Sequence, residues 1–71
     1  MQKITYASIL NRALSDCATS LREAERNAEE WQAMGKQTEA VFFHDNIVKP
    51  LREELAGLKA LYLIETGTEW A

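Results

Sequence analysis

Along two long stretches of this chain, mainly apolar residues recur at steps that alternate between three and four positions. We call the residues at these positions the seam. In the first stretch these positions are Ala7, Leu10, Leu14, Cys17, Leu21, Ala24, Ala28 and Trp31. In the second stretch they are Val41, His44, Val48, Leu51, Leu55, Leu58, Tyr62 and Glu65. This spacing lines up one stripe of mainly apolar side chains along an α-helix, so it predicts two helices that each present a continuous seam.

The two seams are mirror images of each other about Lys36. Trp31 and Val41 are equally far from Lys36 in the sequence, and the other seam positions pair in the same way. Antiparallel helices joined by a short turn need this reflected register, because each layer of the contact takes one side chain from each helix. The pattern predicts an all-α fold, an antiparallel two-helix hairpin whose central leucines are its most buried side chains. The central layers are Leu21/Leu51, Cys17/Leu55 and Leu14/Leu58.

Three residues predict where the helices begin and end. Thr5 can cap a first helix near 6–34, since a Thr side chain accepts a hydrogen bond from a free N–H group of the first turn. Gly35 suits the left-handed position just beyond the last turn. Thr38 is the predicted cap of a second helix near 38–66.

Pro50 lies inside the second predicted helix. Proline lacks an N–H group, and its ring clashes with the carbonyl four residues earlier, here that of Asn46, at a cost of ~3 kcal/mol or more. The alternatives are a continuous helix kinked at Pro50, or a short helix near 38–48 followed by a second helix. The seam keeps its phase from Val48 to Leu51, so the sequence favours the kink.

The length of 71 residues corresponds to one small domain over 1–71, with a short tail at 67–71. Cys17 is the only cysteine, which excludes an internal disulfide and is typical of a protein in the reducing cytosol. The longest nearly continuous apolar run, 60–64, is too short to cross a bilayer. We therefore expect a cytoplasmic protein that does not enter membranes.

The two sides of the predicted hairpin differ in polarity. One of them, the polar side, carries charged and amide side chains: Asn11, Glu25, Gln32, Asp45, Arg52 and Lys59. The opposite side, which we call the apolar face, is the predicted self-association surface. It comprises Tyr6, Ile9, Ala13, Met34, Phe43, Ile47, Gly57, Leu61 and Ile64.

The apolar face is too large to stay in water on a small monomer, and such patches mark interaction sites. Pairing of two hairpins into a four-helix bundle is the simplest way to cover it. Gly57 within the second helix fits this view. A glycine there weakens the helix, and the close approach of a partner helix would explain its presence. The alternative is that the tail, through Trp70, folds back over the face.

The residues that could take part in catalysis or metal binding do not form a recognisable site. His44 lies beside Asp45, but the carboxylate–histidine metal sites of helical bundles need a glutamate at position 41, which is Val41. Cys17 sits between leucines of the seam, where a small buried apolar role is expected rather than a reactive thiol. The sequence predicts no enzyme, no cofactor and no metal site.

These observations predict a non-enzymatic protein–protein interaction or regulatory module. It would act as a homodimer and could bind one other protein. The alternative is a nucleic-acid-associated accessory protein that uses Arg12, Arg22 and Arg26 of the first helix. Residues 1–36 carry five basic and five acidic side chains, and this even balance argues against that alternative, because nucleic-acid binding depends on an excess of Lys and Arg along one surface.

Overall fold

The computed structural model describes residues 4–71, and the first three residues of the predicted domain lie outside it. The described chain forms α1 (Tyr6–Ala33), α2 (Gln37–Phe43), a π-helical turn (His44–Val48) and α3 (Lys49–Thr66). No strand occurs in this part of the chain. Helix α1 packs against α2, the π-helical turn and α3, so the predicted all-α antiparallel hairpin is confirmed.

Local sequence sets the start of α1 as predicted. The Thr5 hydroxyl oxygen accepts a hydrogen bond from the Ser8 N–H at 3.1 Å. In return, the Ser8 hydroxyl oxygen accepts one from the Thr5 N–H at 3.3 Å. This reciprocal capping box satisfies two backbone donors that would otherwise lack a partner at the helix start.

The turn between α1 and α2 is short because Gly35 adopts a left-handed conformation, with φ of +80°. The N–H of Lys36 donates to the carbonyl of Trp31 at 2.9 Å, and that of Gly35 donates to Gln32 at 3.1 Å. This is the pattern of a Schellman motif, which ends a helix by satisfying its last carbonyls. The predicted role of Gly35 is confirmed.

The predicted cap at Thr38 is wrong. Helix α2 begins at Gln37 with Lys36 at the cap position, and Thr38 lies inside its first turn. The Lys36 carbonyl already accepts a helical bond from Ala40 at 3.0 Å, so the tight turn leads into the helix earlier than the sequence suggested. Within the described chain, no side-chain hydrogen bond caps this helix.

The chain accommodates Pro50 through the π-helical turn that precedes it. The N–H of Lys49 donates to the carbonyl of His44, five residues back, while the backbone keeps right-handed helical angles at Phe43 and Lys49. The Asn46 side-chain amide donates to the Phe42 carbonyl at 2.8 Å. The wider turn makes room before a residue that cannot donate and whose ring crowds the previous turn. Helical structure therefore continues across Pro50.

The π-helical turn contains one residue more than a turn of regular α-helix, so the side chains before it are rotated around the helix axis. Val48, after the shift, is fully buried as predicted, but the inward positions before it are Ala40 and Phe43. The prediction that Val41 and His44 lie on the seam is wrong, because both are exposed, Val41 to 58%. The predicted seam assumed steps of three and four residues throughout, whereas the step from Phe43 to Val48 is five.

The seam of α1 is confirmed, whereas the burial predicted for the leucines of α3 is wrong. The buried residues of α1 are Leu10, Leu14, Cys17, Leu21 and Ala24. The second arm of the hairpin comprises α2, the π-helical turn and α3. On this arm the buried residues are Ala40 and Val48, while Leu51, Leu55 and Leu58 remain half-buried. A hairpin has a single contact line, so a large side chain on α3 meets α1 on one side and solvent on the other. Leu51 and Leu55 pack against the cluster of Leu21, Ala24 and Val48.

Candidate interaction surface

The apolar face has one exposed cluster at the end where α1 begins and α3 ends. This terminal cluster consists of Tyr6, Ile9, Leu61 and Ile64. Ile9 is 53% exposed and Ile64 is 81% exposed, while Ala13 is half-buried. The antiparallel hairpin brings the four residues to the same end of the molecule, although they are far apart in the sequence.

A second cluster lies near the turn, and its composition differs from the prediction. Met34 and Ile47 are exposed, but Phe43 is half-buried and contacts Trp31 edge-to-face, with ring centroids 5.0 Å apart. The one-residue shift of the π-helical turn carries Phe42, 68% exposed, to the angular position predicted for Phe43. The turn cluster is therefore Met34, Phe42 and Ile47. Sequence reasoning missed Phe42 because the inserted residue leaves no signal in the spacing.

Between the two clusters the face is polar or small, with Ser20, Asn27, Glu54 and Gly57 all exposed. Gly57 lies in the interior of α3, and a methyl group added there would meet no atom of the described residues within 4 Å. Packing within the hairpin therefore does not require glycine at this position.

The molecule is an elongated rod with more surface than a compact protein of its mass. Its extents are 50 × 24 × 17 Å, and its radius of gyration is 15.3 Å, against about 11 Å for a compact chain of this length. The accessible surface is 5524 Å², against about 4,500 Å² for a compact 8.1 kDa monomer. The excess, on the order of 1,000 Å², resembles the ~800 Å² that each partner buries in a standard protein interface.

The tail leaves the apolar face open. Gly67 ends α3 with a left-handed φ of +72°, and the Trp70 indole N–H then donates to the Asn11 side-chain carbonyl at 2.9 Å. Asn11 belongs to the polar side, and Trp70 also borders a shallow depression with Lys59 and Leu63. The alternative in which the tail covers the apolar face is therefore wrong, because the tail folds toward the opposite side.

The polar side carries a half-open cleft of about 360 Å³ between α1 and the second arm. The π-helical turn contributes to it, because it leaves Val41 and His44 exposed, and the residue that α2 buries is the small Ala40. The full lining is Glu25, Ala28, Glu29, Gln32, Gln37, Ala40, Val41, His44, Asp45, Val48 and Arg52.

The side-chain hydrogen bonds at this cleft are solvent-exposed. The Arg52 guanidinium donates to Glu25 at 2.7 Å, and His44 Nδ1 lies 3.2 Å from an Asp45 carboxylate oxygen. All four side chains are at least two-fifths exposed, so each pair contributes no more than ~1 kcal/mol. Among the residues that the structure describes, no group of three or more His, Cys, Asp or Glu side chains is placed to hold a metal ion.

Cys17 is buried, as its position on the seam predicts. Its thiol donates to the Leu51 carbonyl across the hairpin at 3.6 Å. Burial raises the pKa of the Cys17 thiol, and the negative charge of Glu54 raises it further. Because the thiolate is the nucleophilic form, this environment keeps the sulfur unreactive at neutral pH.

The three arginines of the nucleic-acid alternative are all exposed on α1. Arg22 and Arg26 surround a shallow depression together with Glu25 and Glu29. The acidic side chains interrupt the basic charge along this surface, which opposes the uninterrupted positive stripe that phosphate binding needs.

Neither a scan against protein-family models nor searches of curated proteins and solved structures found a match to this chain. Within residues 4–71, none of the helices combines the length and the apolar character needed to cross a membrane.

Proposed function

We propose that this protein is a non-enzymatic protein–protein interaction module that works as a homodimer through its apolar face. The observation that carries the proposal is the pair of exposed clusters at the two ends of this face, which the tail does not cover. Exposed apolar patches of this kind are unfavourable in water and mark association surfaces. In the dimer, the two hairpins would form a four-helix bundle.

A second copy is the occupant that the rod shape favours. The excess of about 1,000 Å² per chain corresponds to an interface of standard size. Two rods of equal length also cover each other along their whole length, which a small globular partner would not do. The polar side, with its cleft, stays in solvent in such a dimer and is free to meet one other protein.

Sedimentation equilibrium at micromolar concentration tests the proposal. We expect the wild-type protein to sediment as a dimer and the variant Ile47→Glu/Leu61→Glu to sediment as a monomer, because the new carboxylates cannot be buried without a partner. Both replaced side chains are about two-fifths exposed in the hairpin, so the monomer itself should remain helical by circular dichroism.

Two control variants separate loss of the face from a general effect of added charge. Val41→Glu replaces an exposed apolar side chain outside the face, and Arg52→Glu changes charge on the polar side. Both should remain dimers. A monomeric wild-type protein, or a dimer that persists in Ile47→Glu/Leu61→Glu, would contradict the proposal.

A further inference from the structure

We propose that the cleft on the polar side binds an arginine side chain presented by another protein. A single copy of the hairpin supplies the whole lining of this cleft, and the lining lies outside the apolar face. The inference therefore goes beyond the proposed homodimer and does not depend on it.

Part of the cleft lining is small and aliphatic. Ala40 and Val48 of the second arm are buried, Ala28 of α1 is half-buried, and Val41 is 58% exposed. Val41 does not belong to the apolar face, so the proposed dimer leaves it in water. These side chains give an aliphatic group of a ligand a surface on which to pack.

The charged side chains of the lining are mainly acidic. They comprise the carboxylates of Glu25, Glu29 and Asp45 and the guanidinium of Arg52. Arg52 is already bound to Glu25, to which it donates at 2.7 Å. Among the described residues, Glu29 takes part in no ion pair, and Asp45 is hydrogen-bonded to His44 but to no Lys or Arg. Two carboxylates, one on each arm of the hairpin, therefore line the cleft without a Lys or Arg partner.

Arg26 of the same chain does not take up this negative charge through an ion pair. It borders a separate shallow depression that Glu29 also lines, but within residues 4–71 no ion pair joins the two side chains. The cleft is therefore complementary to a ligand that carries a positive charge on an aliphatic stem, and it disfavours an anion.

Among protein side chains, arginine and lysine combine these two features. Arginine fits this cleft better, because its guanidinium presents five N–H donors in a planar fork and bonds to several acceptors at once. The side-chain amides of Gln32 and Gln37 also line the cleft and add acceptor oxygens to the two carboxylates. Lysine instead carries a compact charge that holds its water more strongly. Arginine is also enriched at protein interfaces, so a protein is the source to which we commit.

NMR titration of the labelled protein with n-propylguanidinium, which reproduces the arginine side chain, tests the proposal. We expect saturable shifts of the Ala28, Ala40 and Val41 amide signals, with a dissociation constant on the order of 10 mM for so small a ligand. The lysine analogue n-butylammonium should bind at least about threefold more weakly. Guanidinium, which lacks the stem, and butanoate, which has the opposite charge, should give no saturable shifts in this range.

A pair of double variants shows whether the two carboxylates of the cleft hold the cation. Glu29→Gln/Asp45→Asn should weaken binding of n-propylguanidinium by about fivefold or more, since it removes both free acceptor charges. The matched control Glu23→Gln/Glu53→Gln removes the same charge outside the cleft and should leave the dissociation constant within about twofold of the wild type. All four replaced side chains are exposed, so both variants should keep the wild-type helical content by circular dichroism.

Each contrary outcome overturns a definite part of the proposal. Absence of saturable shifts at the cleft with n-propylguanidinium would overturn it entirely, and so would equal binding of butanoate. Equal weakening in the two double variants would show that the net charge of the chain attracts the cation and that the cleft does not. Tighter binding of n-butylammonium would overturn the choice of arginine. A monomeric protein that binds n-propylguanidinium in the cleft would contradict the proposed homodimer and support this inference.

Discussion

Cys17 shows how the surroundings of one side chain decide its chemistry. It is buried on the α1 seam, its thiol faces the Leu51 carbonyl, and the pKa of the thiol is raised by burial and by Glu54. A thiol held in its neutral form is a small packing group rather than a nucleophile. The same facts make the folded state sensitive to alkaline pH.

We expect the free energy of unfolding to fall at alkaline pH because of Cys17. The folded pKa lies above that of the unfolded chain, whose thiol titrates near 9.0. The contribution of Cys17 is therefore present in full below this pH, and it is lost as the pH rises through the folded pKa. Urea unfolding between about pH 8 and pH 10.5 should show a steeper loss for the wild type than for Cys17→Ala. Parallel losses in the two proteins would contradict the assignment.

At the scale of the elements, the π-helical turn decides which aromatic ring packs inside the hairpin. Phe43 contacts Trp31 and the core cluster, whereas Phe42 stays exposed on the apolar face. A regular α-helix through His44–Val48 would instead keep the spacing of the predicted seam and bury Val41. Pro50 makes the regular helix unfavourable, so its effect reaches more than one turn back along the chain.

Two alanine variants distinguish these two registers by urea unfolding. Phe43→Ala should lower the free energy of unfolding by about 1–3 kcal/mol, less than for a fully buried ring because Phe43 is half-buried. Val41→Ala should change it by less than about 0.5 kcal/mol, since Val41 is mainly exposed. The opposite order of effects would indicate a regular helix without the π-helical turn.

At the scale of the whole molecule, the rod shape limits how much the chain can bury by itself. Among the larger side chains of residues 4–71, only Leu14 and Val48 are fully buried, and the leucines of α3 are covered on one side. A core this thin supplies little net stability in a chain of this size. Association with a second copy would add the missing burial, so folding and dimerisation should be coupled.

Coupling of this kind makes the melting temperature depend on protein concentration. We expect the wild-type melting temperature to rise by about 3–6 °C for each tenfold increase in concentration, because association stabilises the folded state by mass action. Circular dichroism melts over a hundredfold range would measure it. The variant Ile47→Glu/Leu61→Glu should melt at a lower temperature that does not change with concentration. A concentration-independent melting temperature in the wild type would contradict the coupling of its stability to dimerisation.

Much of the fold could be predicted from the sequence because its signals are local or periodic. Thr5 and Gly35 mark helix ends through hydrogen bonds and backbone angles that involve only a few neighbouring residues. The seam of α1 follows from a spacing that no breaker interrupts, and its central residues are buried as predicted. The terminal cluster is likewise exposed at the predicted positions, since α3 keeps its phase after Val48.

Only the tertiary structure decided how the helix accommodates Pro50 and which side chains it buries as a result. The same sequence is compatible with a kink at Pro50 and with an inserted residue before it. Which of the two conformations forms depends on how α2 packs against α1. That choice moved Val41 and His44 out of the contact, brought Phe43 in and opened the cleft on the polar side. The side on which Trp70 lies was decided in the same way, by a hydrogen bond to Asn11. Periodicity encodes the direction of a side chain relative to its own helix, whereas these outcomes depend on contacts between residues far apart in the chain.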